Sequence, residues 1–200
     1  MRYWSFSIVI ALLYGTNAYA FDMLAFGSSA INCHGVPPGQ NLSAKLQEGL
    51  RADGLDVTVI NAGQDGDLPM WMPKRLQSLV TPNIKLVILE PGPNAKSKSQ
   101  TLPYAAEMLA FLQSRQIPAI YVSIAGYQSF DEASEMANKY GAFAYGHWAR
   151  DIPVDSTHFQ FDLNQGGKGQ GGHLTAEGCA LWARKMTPFV ENVIKQRAIK

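Results

Sequence analysis

"LAFGSSAINCHG" (residues 24–35) decides the fold, because its character changes at a single glycine. The apolar residues before Gly27 end a predicted strand over 22–26. Gly27 allows a tight turn, and Ser28 and Ser29 follow it. A serine at this point either caps a helix or acts as a nucleophile held at the edge of a sheet. The rest of the chain has to distinguish the two.

Apolar, strand-like runs alternate with helical patterns along the chain. Further strands are predicted over 56–61, 85–90 and 118–124, and helices over 42–50, 69–80, 102–113, 130–140 and from 175 onward. The helical segments repeat apolar residues every three to four positions. Strands that alternate with helices form βαβ units. The sequence therefore predicts an α/β domain with a mostly parallel central sheet and helices on both faces.

The first twenty residues, "MRYWSFSIVIALLYGTNAYA", have the pattern of a secretory signal peptide. Basic Arg2 precedes an apolar stretch, and the segment ends with the small residues Ala18 and Ala20. An uncleaved N-terminal anchor is the alternative. We therefore expect a single mature domain over 21–200, exported to the periplasm or secreted, with no stable membrane insertion after cleavage.

The charge balance argues against nucleic acid as a partner. The whole chain carries a net charge of +1, and removal of Arg2 leaves 16 basic against 16 acidic residues. A neutral chain without a basic stripe lacks the electrostatic footprint of a nucleic-acid-binding protein.

Polar and glycine-rich segments follow each predicted strand. They are "GSS" (27–29), "NAGQDGD" (61–67), "EPGPNAK" (90–96) and "SIAGYQ" (123–128), and "GGHLTAEG" (171–178) places His173 just before the last helix. The carboxyl ends of parallel strands meet at one edge of a sheet. A hydroxyl, an imidazole and several amide donors at one edge are the groups that acyl transfer requires.

These segments, taken together, resemble the sequence blocks of the SGNH (GDSL-type) hydrolases. "LAFGSSAINCHGVPPGQNLSAKLQEGLRADGLDVTVINAG" (24–63) is similar to the opening block of that family, and the resemblance extends to about residue 183. It implies a flavodoxin-like three-layer α/β/α sandwich and an ester-hydrolysing activity that needs no organic cofactor.

The resemblance also implies roles for individual residues. Ser29 would be the nucleophile and His173 the base. The oxyanion hole would consist of the backbone N–H of Ser29, together with Gly63 and Asn94.

The sequence departs from the family pattern at three positions where the family has aspartate. These positions are Ser28, Ala95 and Gln170. The last departure matters most, because the family aspartate orients the histidine and stabilises its charged form. We therefore predict a Ser29–His173 dyad.

Four groups are candidate partners of the histidine in that dyad. The Gln170 side chain or a loop carbonyl would orient the imidazole as a neutral acceptor. Alternatively, Asp155 or Asp162 would reach it from the preceding loop.

Both cysteines flank the same predicted edge. Cys33 lies four residues after Ser29 and Cys179 six residues after His173. They either form a disulfide or are two buried thiols. The remaining histidines are predicted to be surface or loop residues. They lack metal-ligand spacing with cysteine or acidic residues, so we expect no metal site.

Two aromatic segments leave their role open. One is a cluster of Met70, Trp71 and Met72, which would either line an acyl pocket, stack through Trp71 on a sugar, or pack against the sheet. The other is the segment around Trp148, for which the same alternatives hold.

The sequence as a whole predicts an exported serine esterase that acts on a small ester or an acylated glycan. Lipid esters and thioesters also remain open as substrates. The alternative is a catalytically weak or inactive relative that binds a glycan or envelope component. A flavodoxin-like cofactor binder is disfavoured, because no phosphate-cradling glycine loop is present.

Overall fold

The computed structural model describes residues 20–124, 126–161 and 172–199. The elements in chain order are β1 (Phe21–Gly27), α1 (Ser29–Asn32), α2 (Leu42–Ala52), β2 (Val57–Gly63), α3 (Met72–Leu79), β3 (Ile84–Leu89), α4 (Lys98–Ser114), β4 (Ala119–Ser123), α5 (Phe130–Lys139), β5 (Phe143–His147) and α6 (Ala176–Gln196).

Within these residues, the five strands form one parallel sheet in the order β2-β1-β3-β4-β5. The predicted fold class, a three-layer α/β/α sandwich with a parallel sheet, is confirmed. β1 lies between β2 and β3, so its carboxyl end is flanked by the carboxyl ends of both neighbours. Any group that follows β1 is therefore near the centre of the site edge.

Two apolar cores lie on opposite faces of the sheet. Alternate side chains of β1 supply both, as strand geometry requires: Met23 packs with α2 and α6 on one face, and Leu24 packs with α3, α4 and α5 on the other. The near-continuous apolar sequences of the central strands follow from burial on both faces.

The sequence reading missed one strand. β5 forms the edge of the sheet beside β4 and ends at His147. Trp148 follows it directly, is buried, and packs against Trp182 and Phe159. The structure therefore places Trp148 in the core.

Residues 1–19 of the predicted signal peptide lie outside the described residues. Of the helices described, none is long and apolar enough to cross a membrane.

Candidate active site

The two serines of the opening stretch have different environments. Ser28 is the N-cap of α1 and is fully buried, whereas Ser29 begins the helix and is partly exposed at the sheet edge. A side chain on Gly27 would clash, because an added Cβ would lie 2.5 Å from Ile31 and 2.7 Å from the carbonyl oxygen of Glu90. Glycine is thus required for the close turn that presents Ser29.

His173 meets the exposed serine. Its Nε2 lies 3.0 Å from the Oγ of Ser29, a distance suited to proton transfer between hydroxyl and imidazole. The backbone around His173 is held in place, since the N–H of Gln160 donates to its carbonyl oxygen at 2.9 Å, and Leu174 pairs with Phe159 in an isolated antiparallel bridge.

Two of the predicted oxyanion donors, Gly63 and Asn94, donate to protein acceptors. The N–H of Gly63 donates to the Oδ1 of Asn61 at 3.0 Å. The Nδ2 of Asn94 donates to the carbonyl oxygen of Asp67 at 3.0 Å, and an amide nitrogen has a second hydrogen to offer. The N–H of Ser29 is in the first helical turn, where N–H groups have no partner within the helix.

An arginine beneath these donors joins the strand ends. Arg75 donates from Nε and Nη2 to the Oδ2 of buried Asp67, at 2.9 and 2.6 Å. It also donates to the carbonyl oxygens of Ala62 at 2.7 Å and Gly27 at 3.0 Å. Because Asp67 in turn accepts the amide of Asn94, this one guanidinium orders both the β2 end and the Asn94 loop.

A buried glutamate supports the turn between β1 and α1. Glu90 is fully buried, and its Oε2 accepts the N–H and hydroxyl of Ser28 at 3.0 and 2.8 Å. Its Oε1 accepts the N–H of Gly92 at 2.9 Å. Burial raises the pKa of the Glu90 carboxyl, against the opposing effect of these hydrogen bonds. One carboxyl therefore fixes the turn between β1 and α1 relative to the loop that bears Asn94.

Of the side chains predicted as partners of His173, only Asp155 is among the described residues. The Oδ1 of Asp155 lies 2.7 Å from the Nδ1 of His158 and also accepts the backbone N–H groups of Thr157 and His158 at 3.0 Å. The hydrogen bond from the His158 ring is the main cause that lowers the pKa of Asp155. The structure thus pairs Asp155 with His158. Gln170 and Asp162 lie outside the described residues.

A second imidazole–carboxylate pair adjoins the dyad, and the sequence reading did not identify it. The Nδ1 of His34 lies 2.5 Å from the Oδ2 of Asp65. The ring centroids of His34 and His173 are 4.7 Å apart, with the planes tilted by 45°. His34 is an exposed turn residue, as the sequence predicted, but its pairing with Asp65 was not predicted. Its carboxylate partner is 31 residues away on another loop, so no sequence spacing reveals the pair.

Cys33 and Cys179 form a disulfide in the structure, and both are buried. The bond joins the C-terminal end of α1 to the first turn of α6. It therefore connects the element that carries Ser29 to the element that follows His173.

A cavity of about 560 Å³ opens beside Asn94, between the β2–α3 loop and the start of α4. Its lining is mainly apolar and includes Leu68, Met70, Pro103 and Tyr104. Asn94 belongs to this lining, so an ester carbonyl at the oxyanion donors would have one substituent next to the cavity.

The three residues of the Met-Trp-Met cluster separate in the structure. Met70 lines the cavity, Trp71 is largely exposed, and Met72 is buried in the core. In the part of the chain that the structure describes, no group of three or more histidine, cysteine or acidic side chains is arranged to hold a metal ion.

Solved structures show what this fold is similar to. AlinE4, described as an SGNH-hydrolase family esterase, is 26% identical over 88% of this chain and 97% of its own, with a TM-score of 0.59. The psychrotrophic esterase EstA from Pseudoalteromonas sp. is 16% identical over 87% and 98%, with a TM-score of 0.72. TesA is 18% identical over 88% and 99%, with a TM-score of 0.66. No protein-family model matches the chain, and no curated protein matches it.

The three-layer α/β fold brings a serine and a histidine together at the carboxyl edge of its sheet. The resemblance to SGNH-hydrolase family esterases is confirmed, since structures of that family match most of the chain. These neighbours support an ester-hydrolysing enzyme.

Proposed function

We propose that this protein is an exported serine esterase that hydrolyses carboxylic esters through an acyl-enzyme on Ser29, with His173 as the base. The observation that carries the proposal is the 3.0 Å contact between the Ser29 hydroxyl and the Nε2 of His173 at the carboxyl edge of the sheet. A hydroxyl at its ordinary pKa is a weak nucleophile and needs an adjacent base of this kind.

The reaction follows from the positions of these groups. Ser29 Oγ attacks the ester carbonyl while His173 takes its proton, and the carbonyl oxygen becomes an oxyanion. The N–H groups of Ser29 and Gly63 and the amide of Asn94 would stabilise that charge. The tetrahedral adduct then releases the alcohol, which receives the proton from His173. Water, activated by the same imidazole, cleaves the acyl-enzyme.

The proposed reaction requires one hydrogen bond of the structure to be replaced. In this structure Gly63 donates to Asn61, so the Asn61 side chain has to exchange for the oxyanion during the reaction. Removal of one oxyanion donor typically costs about 10²–10³ in turnover. This contact is also what favours the second candidate, a weak or inactive relative that binds a glycan or envelope component in the same cleft.

The proposed substrate is a small ester or an acylated glycan, with its apolar group in the cavity beside Asn94. The mainly apolar lining of that cavity supports an acyl or other apolar substituent. Export is supported by the signal-peptide pattern of residues 1–20 and by a disulfide, which persists in oxidising compartments. Mass spectrometry of the chain recovered from the exported fraction would test this, with Phe21 expected as the first residue.

A fluorophosphonate probe tests the activity without knowledge of the natural ester. The mature protein would be incubated with the probe, and mass spectrometry would locate any modified residue. We expect label on Ser29, none on buried Ser28, and complete loss of label in Ser29→Ala. Ser114→Ala, which removes an exposed hydroxyl at the end of α4, is the matched control and should label like the unaltered protein. Absence of label across pH 6–9 would reject the esterase and favour the binding relative.

A further inference from the structure

A network of polar side chains connects an oxyanion donor to the ring of His173. It begins at Gly63, whose N–H donates to Asn61, and the Nδ2 of Asn61 donates to the Oδ1 of Asn32 at 3.2 Å. The Nδ2 of Asn32 donates to the Oδ1 of Asp65 at 2.9 Å. The other oxygen of Asp65 is bonded to His34, whose ring lies against that of His173.

The carboxylate in this network is held from both sides. Each oxygen of Asp65 has its own donor, and the two donors come from α1 and from the residues just after it. Partial burial works against ionisation of Asp65. Hydrogen bonds from Asn32 and His34, with the charges of the two nearby imidazoles, outweigh it and hold the pKa of Asp65 below its usual value. Asp65 is therefore an anion throughout the neutral range.

The proposed reaction creates a positive charge on His173, which is separated from this anion by the His34 ring. When His173 takes the proton of Ser29, its ring becomes an imidazolium, and a nearby carboxylate stabilises that form. The sequence has glutamine at the position where the resembled family has an aspartate for this purpose. A charge from another direction would act on the same ring whatever partner its Nδ1 has.

We infer that Asp65 supplies negative charge that stabilises the charged form of His173, and that His34 and Asn32 are positioning residues that hold this carboxylate on the far side of the His34 ring from His173. The inference rests on the proposed function, because His173 becomes charged in the reaction only if it accepts the proton of Ser29.

Other ionisable groups near His173 could also change its pKa. His34 opposes the effect of Asp65 when it is itself protonated. The Asp155–His158 pair lies on the segment that pairs with the backbone around His173, because the N–H of Thr175 donates to the carbonyl oxygen of His158. Glu90 supports the turn between β1 and α1 and bonds to Ser28 and Gly92. The test therefore has to separate Asp65 from Asp155.

The titration of His173 by proton NMR measures the effect without any substrate. The protein would carry no histidine tag, and loss of one resonance in His173→Gln would assign the signal. We expect Asp65→Asn to lower the pKa of His173 by about half a unit at low salt, since the carboxylate is about half exposed. The difference should shrink at 1 M NaCl. Asn32→Ala should lower that pKa by a smaller amount.

Two control variants make the test specific. Glu48→Gln removes one exposed negative charge on α2 and should leave the pKa of His173 unchanged. Asp155→Asn should move it less than Asp65→Asn does. An unchanged pKa in Asp65→Asn, or a larger shift in Asp155→Asn, would overturn the inference.

The fluorophosphonate reaction separates this inference from the proposed function. If both hold, the acid limb of the labelling rate moves to lower pH in Asp65→Asn by the same amount as the NMR pKa. Label on Ser29 without an NMR shift would reject the role of Asp65 and keep the esterase. An NMR shift in a protein that never labels would reject the esterase and keep the charge coupling.

Discussion

Removal of the disulfide should have the largest effect on stability. Cys33 and Cys179 are 146 residues apart, and chain entropy gives a bond that closes a loop of this length about 5 kcal/mol of stabilisation at 25 °C. We therefore expect Cys33→Ala/Cys179→Ala to lower the free energy of unfolding by about 5 kcal/mol. For a domain of this size that corresponds to a fall in Tm of about 10–20 °C.

Urea denaturation, followed by tryptophan fluorescence, measures this loss, because Trp148 and Trp182 are buried and become exposed on unfolding. The unaltered protein, denatured with and without reductant, is the matched control because its side-chain packing is unchanged. If the reduced protein and the double variant both stay within about 1 kcal/mol of the oxidised protein, the chain-entropy argument fails for this bond. The double variant should also label more slowly at Ser29, since the bond joins α1 to α6.

Three further substitutions test the supports of the site. Burial raises the pKa of Glu90, so the unaltered protein should lose stability as pH rises from the ordinary glutamate pKa to that raised value. Glu90→Gln should not lose stability over this range. Thermal unfolding of both proteins from pH 4 to 8 would measure the difference. Arg75→Met leaves Asp67 buried and unpaired, and should cost about 3–5 kcal/mol in urea denaturation. The exposed pair of Arg184 offers a control, because Arg184→Met should cost less than about 1 kcal/mol. Gly63→Ala should abolish fluorophosphonate labelling, as its Cβ would lie 2.2 Å from a backbone nitrogen of α1; labelling at the normal rate would contradict this geometry.

Local sequence patterns predicted most of the fold. The apolar run over 85–90 and the helical spacing over 42–50 each correspond to an element, β3 and α2, because burial imposes the period of the structure on the sequence. β5 was not predicted, because a strand with little burial leaves little periodic pattern in its sequence. It is an edge strand with only two of five residues buried, and it contains Gly146, so its pattern is weak.

The two central residues of the candidate site were predictable from the elements that they adjoin. Ser29 follows the end of β1 and His173 precedes α6, and the structure brings them to 3.0 Å. The supports of the site were not predictable. Glu90 reaches Ser28 across 62 residues, and Asp65 reaches His34 across 31, so their roles depend on strand order rather than on spacing. That Asp162, the Gln170 side chain or a loop carbonyl orients His173 stays a prediction, and single substitutions of Asp162 and Gln170 would test it.

The distance along the chain between the two halves of the site sets the order of its assembly. Ser29 and His173 are separated by 144 residues, and the cysteines that join their elements by 146. At ribosomal rates of about 5–20 residues per second, Ser29 is made roughly 7–30 s before His173. An N-terminal fragment that ends before residue 173 contains Ser29 without His173, and one that ends before α6 also lacks Cys179, which joins α6 to the end of α1. Any activity that depends on both groups should therefore arise only once α6 has been made and packed.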